Sequence, residues 1–173
     1  MADSIVEQMK KVDDLARDVL KLSRNTLLVN LRFLDMALSQ FTYVPYSGTF
    51  ATDGEYIFYD ARHVLSSYKI AKEITVRCYL HMVFHCVFHH AFVGTLINQE
   101  YWNLACDLAI ENAINELNMP WLQITLQSAQ ERVIQELKKE VKIVTAEKYI
   151  IIFLIFRSLE MKLKNYSNYL LQM

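Results

Sequence analysis

Two histidines four residues apart, His81 and His85, carry the clearest chemical signal in this chain. They lie between Cys78 and Phe88, in a stretch that is apolar apart from its histidines, so the pattern predicts a helix buried on most sides. An imidazole buried without partners costs roughly 1–3 kcal/mol for each orphaned group. Because residues four apart share a helix face, both rings can point at one metal ion. The spacing therefore predicts a metal site; the alternative is a pair of core histidines bonded to carbonyls, tyrosines or carboxylates without a metal.

Two further histidines, His89 and His90, are poorly placed on a continuous helix. His89 lies about 80° round the helix from His81 and roughly 12 Å along its axis. His90 lies about 180° from His81, so it could join a shared ion only if the helix broke first. A third ligand is therefore expected from the next helix.

That helix offers two carboxylates at the same four-residue spacing, Asp107 and Glu111, within an otherwise apolar run. A buried carboxylate needs a cation or several hydrogen-bond donors. If the two helices lie antiparallel, Asp107 can complete a His-His-Asp set, with Glu111 as the acceptor that orients a ligand imidazole. A carboxylate–histidine hydrogen bond without a metal, or an exposed helix edge, is the alternative.

Apolar periodicity and turn signals predict an α+β fold that is mostly α, with a small sheet or hairpin near residues 42–60. The Asp53-Gly54 pair between two aromatic and β-branched runs predicts the hairpin turn. Short strands are expected near 42–46, 49–52 and 55–59. Helices are expected at about 5–23, 25–40, 65–92, 98–118, 128–142 and 145–171, the last with Thr145 as its N-cap.

Composition narrows the class of protein. A length of 173 residues fits a single domain spanning residues 1–173. Eighteen basic and nineteen acidic residues give a net charge of −1, which indicates no nucleic-acid partner. The three cysteines, odd in number and in apolar surroundings, are typical of reduced thiols in a cytosolic protein. The charged N-terminus is no signal peptide and no apolar run approaches the roughly 20 residues that span a bilayer, so a cytoplasmic protein without a membrane partner is expected.

The order of the motifs resembles a known family. The motifs are Arg32-Phe33-Leu34, then Ala51-Thr52-Asp53-Gly54 with a following aromatic strand, then the His-x-x-x-His helix, then Trp102-Asn103-x-Ala105-x-Asp107-x-Ala109-Ile110. Over about residues 30–118 the chain resembles the bacterial putative metallopeptidase domain often found next to a von Willebrand A-like domain. The resemblance implies a zincin-like core, in which a small sheet lies beside an active-site helix. It also implies zinc held by His81, His85 and a later residue, for which Asp107 is the candidate.

The chain departs from the family pattern His-Glu-x-x-His at one decisive position, where it has Met82. In zincins that glutamate is the general base for the zinc-bound water and then protonates the leaving amine, whereas a thioether accepts no proton at neutral pH. Glu111 is a second departure, since asparagine is more usual there. The first hypothesis is thus a degenerate metallopeptidase domain, a pseudoenzyme that keeps the metal-site scaffold and acts as a binding or regulatory module. The alternatives are an active zinc metallohydrolase with Glu111 or another carboxylate as base, and a structural helical protein without metal.

The resemblance also implies a partner. Zincin-like folds pair an extended substrate with an edge strand, so a peptide or protein partner is expected at the strand 55–59, beside the histidine helix. An ordinary hairpin packed only for stability is the alternative.

Overall fold

A computed structural model describes residues 2–48, 50–90, 98–123, 132, 134–136, 138–139 and 145–155, and of residues 2–4 and 151–155 it describes the backbone only. The fold is α+β and mostly helical, with one small sheet of three strands, as predicted. The helices are α1 Ala2–Asn30, α2 Asp35–Ser39, α3 Ala61–Ile70, α4 Lys72–Val87, α5 Gln99–Glu116 and α6 Ala146–Ile155. Short 3-10 turns cover Arg32–Leu34 and Pro120–Leu122, and the strands are β1 Thr42–Pro45, β2 Phe50–Thr52 and β3 Tyr56–Tyr59.

The described residues form two compact units. The first contains α1 to α4, the sheet and the turn at 120–122, and the second contains α5, α6 and the helical residues described between 132 and 139. The prediction of a single domain stays a prediction. In the described part of the chain no helix combines the length and the apolar character needed to cross a membrane.

The helix α1 is longer than its apolar pattern predicted. A break was expected after residue 23, but α1 continues to Asn30. The buried hydroxyl of Ser23 lies 3.0 Å from the carbonyl oxygen of Val19 and 3.2 Å from the hydroxyl of Thr75, so it is satisfied inside the helix. The separate helices 5–23 and 25–40 were therefore a wrong prediction, and the break falls at Leu31, which leaves helical geometry.

The sheet confirms the predicted hairpin, but it places the strand predicted at 55–59 in the centre of the sheet and not at its edge. Strands β2 and β3 pair antiparallel across the Asp53-Gly54 turn. The carboxylate of Asp53 accepts the backbone N–H groups of Tyr56 and Glu55, which lower its pKa, and Gly54 takes a left-handed φ of 103°. The strand order is β1-β3-β2, with β1 parallel to β3, so β3 is the central strand. The prediction that strand 55–59 is an edge was therefore wrong, because both of its sides are hydrogen-bonded.

One extended residue divides the helix that was predicted at 65–92. The chain enters α3 at Asp60, whose carboxylate accepts the N–H groups of Gly48, Arg62 and His63, and these donors lower its pKa. At Ala71 the backbone is extended (φ −158°, ψ 131°), and α4 begins at Lys72. This break lets α3 and α4 pack against each other and against α1. Nothing in the local sequence demanded it, since alanine is a good helix former.

Within the first unit, α4 is held along its length. The buried guanidinium of Arg77 donates to the carbonyl oxygen of Leu122 at 2.9 Å. The hydroxyl of the buried Tyr79 lies 3.1 Å from that of Tyr43 on β1, and burial raises the pKa of Tyr79. These contacts fix the rotation of α4 about its axis, and hence the direction of its histidines.

The second unit is built on α5, which matches the helix predicted at 98–118. The side chain of Asn98 caps its first turn, and α5 packs against α6 around buried Trp102, Leu108 and Tyr149. The hydroxyl of Thr145 accepts the N–H of Lys148 at 3.4 Å, so the predicted N-cap is confirmed. Residues 91–97, parts of the helix predicted at 128–142 and residues 156–171 of the last predicted helix lie outside the described residues.

Candidate metal centre

The two histidines predicted as ligands share one face of α4. His81 and His85 are both half-buried, and their ring centres lie 4.9 Å apart with planes tilted by 54°. The apolar neighbours Leu80, Val83 and Phe84 pack on the buried sides of the helix, which leaves the two imidazoles on the remaining face. The four-residue spacing therefore places both imidazoles on the same face of α4, as the sequence predicted.

A carboxylate joins the pair. One ligand atom from each of His81, His85 and Asp107 lies within 4.8 Å of the others, and all three residues are half-buried. Two imidazole nitrogens and one carboxylate oxygen also form a donor set that zinc accepts. The group can therefore hold a metal ion.

The residue after the first histidine is buried and carries no proton acceptor. Met82 has 8% of its surface exposed and belongs to the core of α4. The nearest carboxylate along α5 from Asp107 is Glu111, which has 9% exposed. Its burial agrees with the expectation of a carboxylate with bonded partners, and its role as an acceptor for a ligand imidazole stays a prediction.

A thiol and a hydroxyl border the histidines on the side of the sheet. The Cys86 sulfur lies 3.8 Å from the hydroxyl of Thr52 on β2, and 3.4 Å from the carbonyl oxygen of Met82. Burial raises the pKa of the Cys86 thiol, so in the metal-free protein it stays protonated near neutral pH. The three cysteines form no disulfide in the described part of the chain, and burial also raises the pKa of Cys106, next to Asp107.

The end of α4 is a feature that the sequence patterns did not predict. The helix was expected to run to about residue 92, but it ends at Val87, and His89 takes a left-handed φ of 58°. His90 is consequently buried, with 8% exposed, and its ring centre lies 5.5 Å from that of His85. The sequence shows that His89 and His90 are adjacent, but no local pattern predicts that the chain reverses direction at His89.

Comparison with known proteins gives one match. The family model described as "Putative metallopeptidase domain" matches residues 23–150, which is roughly three quarters of the chain. No curated protein and no solved structure showed a significant match.

Proposed function

The chain belongs to the family described as "Putative metallopeptidase domain", and from this premise we propose that it is a degenerate, zincin-like member that binds zinc but does not hydrolyse peptides. In this proposal His81, His85 and Asp107 are the metal ligands, and the domain acts as a binding or regulatory module. A bound zinc ion would supply Lewis acidity and lower the pKa of a coordinated water toward about 7.

The observation that carries the metal part of the proposal is the close approach of the three side chains. Their ligand atoms lie within 4.8 Å of one another, although Asp107 stands 22 residues beyond His85 in the chain. Two histidines at helical spacing are common in cores, whereas a carboxylate that joins them from a different helix is a much narrower coincidence. The donor set and the family membership thus support the same conclusion.

The absence of hydrolysis rests on Met82. Peptide hydrolysis at a zincin-type site needs a group that takes a proton and returns it to the leaving amine, a role typically worth about 10²–10⁴-fold in rate. The thioether of Met82 is buried on α4 and can do neither.

A binding role also needs a surface, and among the described residues the outer strands of the sheet are β1 and β2. Of these, β2 lies against α4 through Thr52 and Cys86. An extended peptide or protein segment would pair with β2 through main-chain hydrogen bonds. In this proposal β2 replaces the strand 55–59 as the edge that binds the partner.

The second candidate function is an active metallohydrolase in which Glu111 is the base. Its support is the burial of Glu111, one helical turn from Asp107 on α5.

Metal analysis of untagged full-length protein tests the first part of the proposal. After incubation with zinc and removal of the excess, the wild type should retain about one zinc per chain, and His85→Gln should retain much less. His89→Gln is the matched control, because His89 is exposed and should be dispensable. A wild type that holds no zinc would refute the metal assignment.

A peptidase assay separates the two candidate functions. Zinc-loaded wild type should not cleave unfolded casein or a mixed peptide library above a chelator-treated blank. Chelator-sensitive cleavage that is lost in Glu111→Gln but kept in Glu116→Gln would establish the second candidate instead. Glu116 is a suitable control, since its side chain is largely exposed at the end of α5.

A further inference from the structure

The chain reverses direction directly after the histidine helix. Phe88 donates its N–H to the carbonyl oxygen of Phe84 at 2.9 Å, and His89 donates to Cys86 at 3.1 Å. His89 then adopts a φ of 58°, a conformation that costs a non-glycine residue about 1–2 kcal/mol. This reversal determines the position of the residue that follows.

The residue that the reversal positions is His90. On a continuous helix His90 would lie about 140° round from His85, on a different face. In the structure its ring instead meets that of His85 at 5.5 Å, with the planes 78° apart, and packs on Phe88 at 5.6 Å. His90 is also buried, unlike the exposed His89 beside it.

His85 therefore has an imidazole neighbour on each of two sides, with its ring centre 4.9 Å from that of His81 and 5.5 Å from that of His90. Two imidazoles bound to one tetrahedral zinc ion, through bonds of about 2.0–2.1 Å, place their ring centres roughly 5 Å apart. Both observed spacings lie close to this value. His90 is outside the group whose ligand atoms lie within 4.8 Å, so its ring must turn about its side-chain bonds to reach the ion.

We propose that His90 is a further metal ligand, which completes a four-coordinate site with His81, His85 and Asp107. The inference rests on the metal binding proposed above for the other three residues. Four protein ligands give zinc the closed coordination of structural sites, with no position left for a reacting water. Closed coordination and the apolar residue at position 82 lead to the same result, a metal that stabilises the fold around α4 and does not take part in hydrolysis.

X-ray absorption of the zinc-loaded, untagged full-length protein tests the proposal by counting imidazoles. We expect three imidazoles on zinc in the wild type and two in His90→Gln. The matched control is His89→Gly, which removes the neighbouring imidazole while favouring the left-handed conformation of the turn, and it should keep three. Competition with a chromophoric chelator should show zinc affinity falling by more than about 100-fold in His90→Gln, since loss of an outer partner alone costs about 10–100-fold.

The outcomes separate this inference from the proposed function. A wild type that binds zinc with two imidazoles refutes ligation by His90 and leaves the three-residue site standing. A wild type that binds no zinc refutes both. If His90→Gln does not fold, the imidazole count of the wild type still decides. A loss of affinity with an unchanged count of three would also refute ligation, because it would mean that His90 acts only through packing.

Discussion

Replacing Met82 by glutamate gives the chain the sequence His-Glu-x-x-His, and so adds a proton acceptor at the position on which the proposed lack of hydrolysis depends. The structure gives this substitution two separate consequences, one for stability and one for rate. Met82 has 8% of its surface exposed, so the new carboxylate enters a buried position on α4. The matched control is Met82→Gln, which has nearly the same shape and cannot ionise.

The stability consequence follows from the pKa of the introduced carboxylate. Burial raises the pKa of a carboxyl group by up to about 3–5 units, and each unit corresponds to about 1.4 kcal/mol. A rise of three units makes the metal-free Met82→Glu variant about 4 kcal/mol less stable than Met82→Gln near pH 7. Because the folded-state pKa is raised, the difference is absent below the unfolded pKa of about 4.3, grows as the pH rises above that value, and levels off above the folded pKa. Zinc beside the carboxylate lowers its pKa again, so zinc should stabilise Met82→Glu more than Met82→Gln.

Thermal unfolding measures this difference directly. For a chain of this size 1 kcal/mol corresponds to about 2–4 °C, so the two variants should differ by roughly 8–16 °C near pH 7 without metal and converge toward about pH 4. Excess zinc should narrow the gap. Equal unfolding temperatures at both pH values would mean that position 82 is not buried as the structure describes.

The rate consequence depends on an open metal position. Met82→Glu alone should stay inactive, because His90 fills the fourth position in the inferred site. Combined with His90→Gln, the same change should raise chelator-sensitive peptide cleavage by about 10²–10⁴-fold over His90→Gln alone. Cleavage by Met82→Glu alone would contradict the four-ligand site, and cleavage by the wild type would contradict the degenerate site. A zinc-loaded double variant without activity would indicate that the groove no longer accepts a peptide in a productive orientation.

Three further substitutions test the parts of the fold that hold the site. Asp60→Ala removes the cap of α3 and should cost about 1–2 kcal/mol in urea unfolding near pH 7, with the difference lost as the pH falls through the lowered folded pKa of Asp60. Tyr59→Phe removes a 2.6 Å hydrogen bond to the Asp13 carboxylate and should cost about 1–2 kcal/mol, whereas Tyr46→Phe, at an exposed ring, should cost less than about 0.5 kcal/mol. His89→Gly should raise the free energy of unfolding by about 1 kcal/mol, since it removes the left-handed strain, and an unchanged or lower value would refute that reading of the turn.

The parts of the fold that could be predicted are those with a local physical cause. The Asp53-Gly54 turn appears where predicted because only the immediate neighbours decide it: Asp53 accepts two N–H groups of the turn and Gly54 tolerates a positive φ. The pairing of β1 with β3 could not be read in this way. It pairs Thr42 of β1 with Tyr56 of β3, although β2 lies between these two strands in the sequence. No local pattern predicts which strand of a hairpin a third strand will pair with. This missing information is why the strand 55–59 was mistaken for an edge.

The helix boundaries also divide into those with a local cause and those set by packing between helices. Asn98 and Thr145 begin their helices as their side chains require. The break at Ala71 and the absence of a break after Ser23 depend instead on packing among α1, α3 and α4. Helix propensity is worth only a few tenths of a kcal/mol per residue, so contacts between helices override it easily.

The candidate site combines both kinds of residue. His81 and His85 share a face because of helical geometry alone, so their spacing was sufficient to predict them. His90 could not be found this way, because on a regular helix it points elsewhere, and only the left-handed His89 returns it to His85. The left-handed conformation of His89 and the burial of His90 therefore both belong to the same chain reversal. If His90 binds the metal, the free energy of metal binding offsets the conformational cost of the left-handed turn. Metal-free protein should then lose the order of residues 88–90 before it loses that of α4.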